Sequence, residues 1–432
     1  MIDLPTTLAT LVPPGQVISP AQFPAWLTRA LAPVVPAALV YPHSEAELGA
    51  VMACAHQQGW RILPCGNGSK LDWGAPPQPV DLVISTARLN QVIDHAVGDM
   101  TLTAQAGATL AQLTPLLEAQ QQDLALDSAH PQRATLGGIV ATADSGSRRH
   151  RYGGVRDRIL GITWVRHDGQ IVRAGGRVVK NVAGYDLMKL LTGSYGTLGI
   201  LAQVTCRLYP TPACSRTVVV SGGIEPLSHL AANLRNSALT PVALDWLSPA
   251  LAKYLDLPAT YALAVRFQSI AAGVTEQIAQ LESMVATQDS LQLVPVVADD
   301  ELWTGAGAAL HGDQPHTPGV IAKLGLQPTA AANFLQGLSQ QAPKALVRLH
   351  ASSGLGHLRL PADGLEIGLL ETLRCHCQEA KGYLTLLVAP LELKQRLEVW
   401  GYQGNALALM QQVKKQFDPD HRLNPGQSVG GL

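Results

Sequence analysis

The sequence predicts a mixed α+β protein of at least two domains, and three observations predict it. At 432 residues, 47% of them hydrophobic and 15% charged, the chain is longer than one hydrophobic core fills, since domains run to about 50–200 residues. Its first part passes from helix to strand to glycine-rich loop, an order that builds ligand cradles. Its middle, from Thr217 to Leu386, alternates strand-like runs such as Val218-Val219-Val220 and Tyr261-Ala262-Leu263-Ala264-Val265-Arg266-Phe267 with helical stretches such as Thr275 to Val285. That alternation marks an α+β domain.

Prolines at 13, 14, 20, 24, 33 and 36 break up the lead. Ala46, Leu48, Val51, Met52 and Ala55 then recur at helical spacing behind Ser44 and Glu47, a capping-box pair, and Gly59 ends that helix. Trp60 to Pro64 reads as a strand running into Cys65-Gly66-Asn67-Gly68-Ser69-Lys70. Asp81 to Thr86 and Thr101 to Ala106 read as strands, and Thr109 to Gln121 as a helix behind a threonine cap. A second glycine-rich passage, Pro131 to Gly154, precedes a hairpin of Ile162 to Val165 and Ile171 to Arg173 around Asp168-Gly169. Gly199 to Leu208 is a closing strand, and Tyr209-Pro210-Thr211-Pro212 a natural boundary. Asn405 to Phe417 reads as a last helix with a turn-rich tail. The expected domains are 1–212, 213–402 and a helix and tail over 403–432 that return to the first.

Lys plus Arg number 31 against 32 Asp plus Glu, a net charge of -1, so no global field draws in a polyanion and nucleic acid is not an expected partner. The six cysteines, Cys54, Cys65, Cys206, Cys214, Cys375 and Cys377, lack the spacing of a disulfide framework or of an iron–sulfur site. Cys375-His376-Cys377 reads as ordinary helix packing. The lead carries no basic segment followed by an apolar run, and no apolar stretch reaches the roughly 20 residues that cross a bilayer. The expected location is cytoplasmic, with membrane association only through partners.

Gly66-Asn67-Gly68-Ser69 has the composition that lets successive backbone N–H groups meet a phosphate. Standing alone it reads more readily as a plain turn after a strand, since it completes neither a P-loop nor a Rossmann fingerprint. It does not stand alone. Pro64 to Lys70, Thr135 to Thr142, Val178 to Asp186 and Gly193 to Ile200 resemble, in order and spacing, the FAD-binding domain of vanillyl-alcohol-oxidase-type (PCMH-type) flavoproteins. The tail, Phe417-Asp418-Pro419 to Leu423-Asn424-Pro425-Gly426, looks like the end of the FAD-linked oxidase family, and Val179 to Asp186 is similar to the E-type subunits of glycolate oxidase, also called glycolate dehydrogenase. The resemblance spans Pro42 to Pro212 and the stretch from Gln403 onward.

The resemblance implies a PCMH-type domain of two α/β subdomains and a smaller α+β FAD-linked oxidase domain. It implies FAD, its pyrophosphate wrapped by the loop Pro64, Cys65, Gly66, Asn67, Gly68 and Ser69. The passage carrying Pro131, Thr135, Gly137, Gly138, Thr142, Ser145 and Gly146 would run beside the isoalloxazine and ribityl chain, with Gly199 and Ile200 on the adenine side and Asn424 reaching the flavin. Cys65 and His130 are the residues of a type that could carry a covalent flavin; a dissociable cofactor is expected. It also implies a D-type FAD subunit and an iron–sulfur subunit as partners.

Metal-dependent 2-hydroxy-acid dehydrogenases of this superfamily carry paired histidines and a carboxylate. His350-Ala351-Ser352-Ser353-Gly354-Leu355-Gly356-His357 has the outline of one such motif without its acidic residue and asparagine, and Ala389-Pro390-Leu391-Glu392-Leu393 replaces the second half. No metal is expected, and His311-Gly312-Asp313 with His316 reads as an exposed loop. The candidate catalytic residues are His350 and, from the cationic run Arg148-Arg149-His150-Arg151, Arg149 and Arg151, suited to a substrate carboxylate. A solvated loop or partner patch fits that run equally well. Arg156-Asp157-Arg158 reads as a structural ion pair and Asp186 as a loop-fixing acceptor. Three functional readings stay open: an FAD subunit of a glycolate-oxidising complex, a self-sufficient flavin oxidoreductase for another 2-hydroxy acid, and a non-catalytic FAD-holding assembly or relay subunit.

Overall fold

The computed structural model describes residues 4–177, 184–295, 299–312, 319–362 and 365–432. The chain divides into two compact units, one of residues 1–145, 154–211 and 402–432, the other of residues 146–153 and 212–401.

Two α/β subdomains make up the first unit. In one, four strands lie in the order Val17–Ile18, Ala38–Val40, Leu82–Ser85, Ile62–Cys65, the last three mutually parallel. The parallel pairing needs a crossover, and helix Glu45–Gln58 supplies it. Ser44 accepts from the Glu47 amide, Glu47 accepts from His43 N–H, and Gly59 at φ +74° ends the helix, a conformation open to glycine. Its Leu48, Val51, Met52 and Ala55 pack on Val40, Leu82 and Ile84. The other subdomain is a five-stranded antiparallel sheet, Val92–Ala96, Thr101–Gln105, Ile200–Arg207, Ile159–Val165, Ile171–Gly175. Helix Leu110–Glu118, closed by the Thr109/Gln112 capping box, and helix Leu136–Thr142 share its core.

Helix Leu136–Thr142 lies inside the passage read as a glycine-rich loop. Two adjacent glycines depress helix propensity, but Gly137 sits where a Cβ would come within 2.7 Å of the Ala106 Cβ, so close packing on the sheet requires the residue that weakens the helix. The Arg156-Asp157-Arg158 run also differs from an ion pair after a turn. Asp157 accepts from Gly154 N–H, while the buried Arg158 guanidinium donates to the Leu124 and Ala125 carbonyls.

The second unit is an eight-stranded antiparallel sheet in the order Leu291–Pro295, Cys214–Gly222, Tyr261–Ser269, Ala243–Leu247, Leu346–His350, Leu355–Leu360, Val320–Gly325, Tyr383–Val388. Helices Ile224–Asn236 and Ala271–Ala286 pack on Cys214–Gly222 and Tyr261–Ser269, and Ile367–Glu379 on Tyr383–Val388. Helix Asp299–His311 contributes Leu302 and Ala309 to a core with Val219, Leu247 and Ala264. Among the described residues no helix is long and apolar enough to cross a membrane.

Candidate cofactor site and a polar sheet face

The site begins with the strand Ile62–Cys65, which is buried beside Leu82–Ser85 and delivers the backbone to the loop Gly66–Ser69. Among the described residues, no oxygen accepts from the amide N–H groups of Gly66, Asn67, Gly68 or Ser69. Four successive donors that no protein oxygen claims, on a loop that lines a cleft, suit a phosphate. The loop is held in shape from behind. Ser85 Oγ donates to Gly66 O at 2.9 Å, Asn67 Nδ2 donates to Arg133 O at 3.1 Å, and Arg133 donates back to Asn67 O at 3.3 Å. Glycine is forced at two positions: a Cβ on Gly66 would stand 2.3 Å from Thr135 Oγ1, and Gly68, at φ +69°, would press a Cβ within 2.2 Å of the Trp26 ring.

Facing the loop, Thr135 caps helix Leu136–Thr142 by accepting from Gly138 N–H, and Thr142 Oγ1 donates to Gly138 O at 2.7 Å. The turn Gly193–Gly199 docks on this helix through Gly193 N–H to Val140 O and Tyr195 N–H to Ala141 O. The tail closes the wall. Asn424 N–H donates to Ile62 O at 2.7 Å, its Nδ2 donates to Tyr195 O, and its buried Oδ1 has no donor among the described residues. Together these surround a cleft with about 1000 Å³ of empty space, open solvent at its mouth included.

Pro64, Cys65, Gly66, Asn67, Gly68, Ser69, Thr135, Gly137, Gly138, Thr142, Gly199, Ile200 and Asn424 all line this one cleft. Pro131, Ser145 and Gly146 do not line it, and Gly146 belongs to the second unit. Sequence reasoning missed Lys70, Leu71, Trp73, Tyr195, Gly196 and Gln427. Lys70 is the charged one: its Nζ is 2.8 Å from Asp144 Oδ2, with the two side chains 5% and 2% exposed. A glycine at 196, φ +73°, whose Cβ would meet Pro64 at 2.5 Å, was a signal within reach. Residues 178–183 of the Val178 to Asp186 motif lie outside the described residues; Asp186 caps helix Leu187–Leu191 by accepting from Lys189 N–H.

Burial pushes the Cys65 thiol up to about 12, and Ser85 only partly offsets it. With so little thiolate the sulfur is a poor nucleophile. The expected outcome is that iodoacetamide at pH 8 leaves Cys65 unmodified in the native protein while labelling the exposed Cys375, read by peptide mass spectrometry; rapid alkylation of native Cys65 would refute it. Burial also lowers the pKa of His130, with Asp144 opposing and Lys70 adding to the fall.

In the second unit the segment 146–153 carries the cationic run as a short helix, Arg149–Tyr152. Its contacts with the sheet and the turn after strand Leu346–His350 include Ser147 Oγ donating to the Asp245 carboxylate and His150 Nδ1 at 2.6 Å from Ser352 Oγ. The Arg148 guanidinium stacks 5.2 Å from the Tyr152 ring. Asp245, 1% exposed, faces Arg348 at 3.7 Å. Burial raises the Asp245 pKa, while Arg348, Ser147 and His150 hold it down. Register places Asp245 opposite His350 and Arg348 opposite His357, so alternation puts all four on one sheet face. On the last strand, burial raises the Tyr383 pKa and Arg149 lowers it.

His311 departs from the exposed loop expected of it. It ends helix Asp299–His311, 4% exposed, with its ring 4.7 Å edge-on from His357. The nearby glycine is the helix stop, Gly312 at φ +72°, and not the sign of a solvated loop. Asp313 and His316 lie outside the described residues. Among the described residues no group of three or more His, Cys, Asp or Glu side chains is arranged to hold a metal ion.

Residues 36–175 match the family model described as FAD binding domain. Over 419 residues the chain is 24% identical to the glycolate oxidase subunit GlcD of Bacillus subtilis, covering 91% of this chain and 88% of that protein. Over 151 residues it is 36% identical to the glycolate oxidase subunit GlcE of Escherichia coli, covering 35% of this chain and 43% of that protein. The crystal structure of p-cresol methylhydroxylase with substrate bound superposes with a TM-score of 0.76 at 13% identity, covering 98% of this chain and 96% of that one, which establishes a shared fold. The unclaimed amides of Gly66–Ser69 and the cleft that they line fit a dinucleotide, and FAD is the cofactor of this domain.

Proposed function

From an FAD-binding domain with the p-cresol methylhydroxylase fold, we propose that the chain is the FAD-binding subunit of a glycolate dehydrogenase or oxidase complex. Its substrate class is the 2-hydroxy acids, with glycolate converted to glyoxylate. The observation that carries the reading is the nest of four free amides at Gly66–Ser69 opening into a cleft that thirteen expected residues line. The similarity to one glycolate oxidase subunit along nearly the whole chain, and to another over the cofactor-binding part, supports the substrate class and the complex.

A bound FAD supplies two-electron chemistry, accepting the hydride that leaves the carbinol carbon. The chain's own residues do the rest. Arg149 and Arg151 hold the substrate carboxylate, since planar guanidinium groups pair with carboxylates through two N–H donors. His350 takes the hydroxyl proton as the carbonyl forms. Ser147 and Asp245 fasten the segment that bears the arginines. The six scattered cysteines offer no cluster-binding run, so electrons pass to an iron–sulfur subunit, alongside a D-type FAD subunit.

One departure favours a second reading. Helix Leu391–Arg396 follows Pro390 where the superfamily's second histidine motif would be, which suits a subunit that holds FAD as a relay while chemistry proceeds on its D-type sister. Anaerobic mixing separates the two. Bleaching of the flavin band by glycolate in the FAD-loaded chain alone is the expected result for a catalytic subunit, abolished in R149A/R151A. Bleaching only after the D-type and iron–sulfur subunits are added assigns the chain to relay. An FAD-loaded complex that glycolate never bleaches overturns the proposal.

A further inference from the structure

The cleft contains a charge that a backbone nest does not need. Lys70 follows Ser69 directly, lines the same cleft, and has only 5% of its side chain exposed. An ammonium has three N–H donors. Among the described residues Asp144 is the one acceptor, at 2.8 Å, so two donors are left over in a buried position. The Trp73 ring, also on the cleft wall, lies 5.4 Å below the nitrogen and favours retention of the charge.

Asp144 does not depend on Lys70 for its position. Ser128 Oγ donates to it, and Ala129 N–H donates at 3.1 Å. Buried ion pairs do little for stability on average, because desolvating both charges offsets their attraction. A buried lysine with spare donors, next to four unclaimed amides, suits an anionic ligand better than its one carboxylate alone. The diphosphate of a dinucleotide carries two negative charges, and amide dipoles alone neutralise them only in part.

We propose that Lys70 is a diphosphate-binding residue: its ammonium, oriented by Asp144, meets the FAD diphosphate beside the amides of Gly66–Ser69. The role concerns the cofactor and stands whatever the substrate is.

The test uses ADP and FAD titrated into the chain freed of its cofactor. ADP carries the diphosphate without the flavin. In K70M the dissociation constants of both ligands should rise about tenfold or more, as expected on losing one charge-assisted hydrogen bond, and the salt dependence of binding should weaken. D144N leaves the lysine in place but removes the carboxylate that opposes the burial-driven fall of its pKa, so it should weaken ADP binding by less than K70M does. K70R should retain more affinity than K70M. Unchanged ADP binding by K70M overturns the proposal, including the case in which the flavin potential shifts. Equal weakening in K70M and D144N, matched by equal loss of thermal stability, also overturns it, since the pair would then be only a brace.

Discussion

Replacing Gly66 with valine is expected to leave a folded protein that no longer retains FAD. The substitution places a Cβ 2.3 Å from Thr135 Oγ1 and 2.7 Å from its Cγ2. Thr135 cannot yield freely, because its hydroxyl caps helix Leu136–Thr142 and its carbonyl accepts from Ile139 N–H. The loop must therefore move, and the four unclaimed amides move with it. Forfeiting two charge-assisted hydrogen bonds at about 1.5–3 kcal/mol each predicts at least a hundredfold loss of FAD affinity. Gly98 is the control, since a Cβ there meets nothing within 4 Å. The flavin-to-protein absorbance ratio after gel filtration, together with a fluorescence titration, reads the outcome. Retention of flavin by G66V at the level of G98A would show that the loop does not hold the cofactor.

That glycine was legible in the sequence because it follows an apolar strand and lies among small residues, and the requirement is local. Thr135 was legible only through the resemblance carried by Thr135 to Thr142, and its role as a helix cap was not. Asn424 was legible only through the family's tail motif, since nothing in its neighbours announces a return to Ile62. Lys70 and Asp144 are 74 residues apart, and a lone lysine after a serine reads as solvated; only the folded chain shows that both are buried. Helix Leu136–Thr142 was hidden for a different reason. Its glycines lower helix propensity, and the benefit that outweighs this is close approach to Ala106 in another element. The fastening of Ser147 to Asp245 likewise joins residues 98 apart. Local chemistry was readable, and long-range pairing was not.

The same division governs the tail, where a second large effect is expected from Asp418→Ala. Lys414 and Asp418 are both buried, 2% and 1% exposed, one helical turn apart. Lys414 Nζ donates to Asp418 Oδ2 at 2.6 Å and to the carbonyls of Thr197 and Leu423, each at 2.8 Å. Asp418 in turn accepts from Arg422 and Leu423 N–H. One ammonium thus ties the last helix, Leu407–Phe417, to the Gly193–Gly199 turn and to the residue before Asn424. Burial lowers the Lys414 pKa, and Asp418 opposes that fall, so without the carboxylate the amine is left in the interior with no counter-charge. Breaking a buried pair from one side costs about 3–5 kcal/mol, which should move the urea midpoint well below that of wild type. FAD affinity should fall with it, because Asn424, Pro425 and Gln427 form one wall of the cleft. Lys414→Met combined with Asp418→Ala removes both charges and should recover part of the loss, since the stranded ammonium is the expensive feature. A D418A protein that unfolds at the wild-type midpoint, or a double variant less stable than D418A, would show that the tail is held by its apolar contacts and not by this pair.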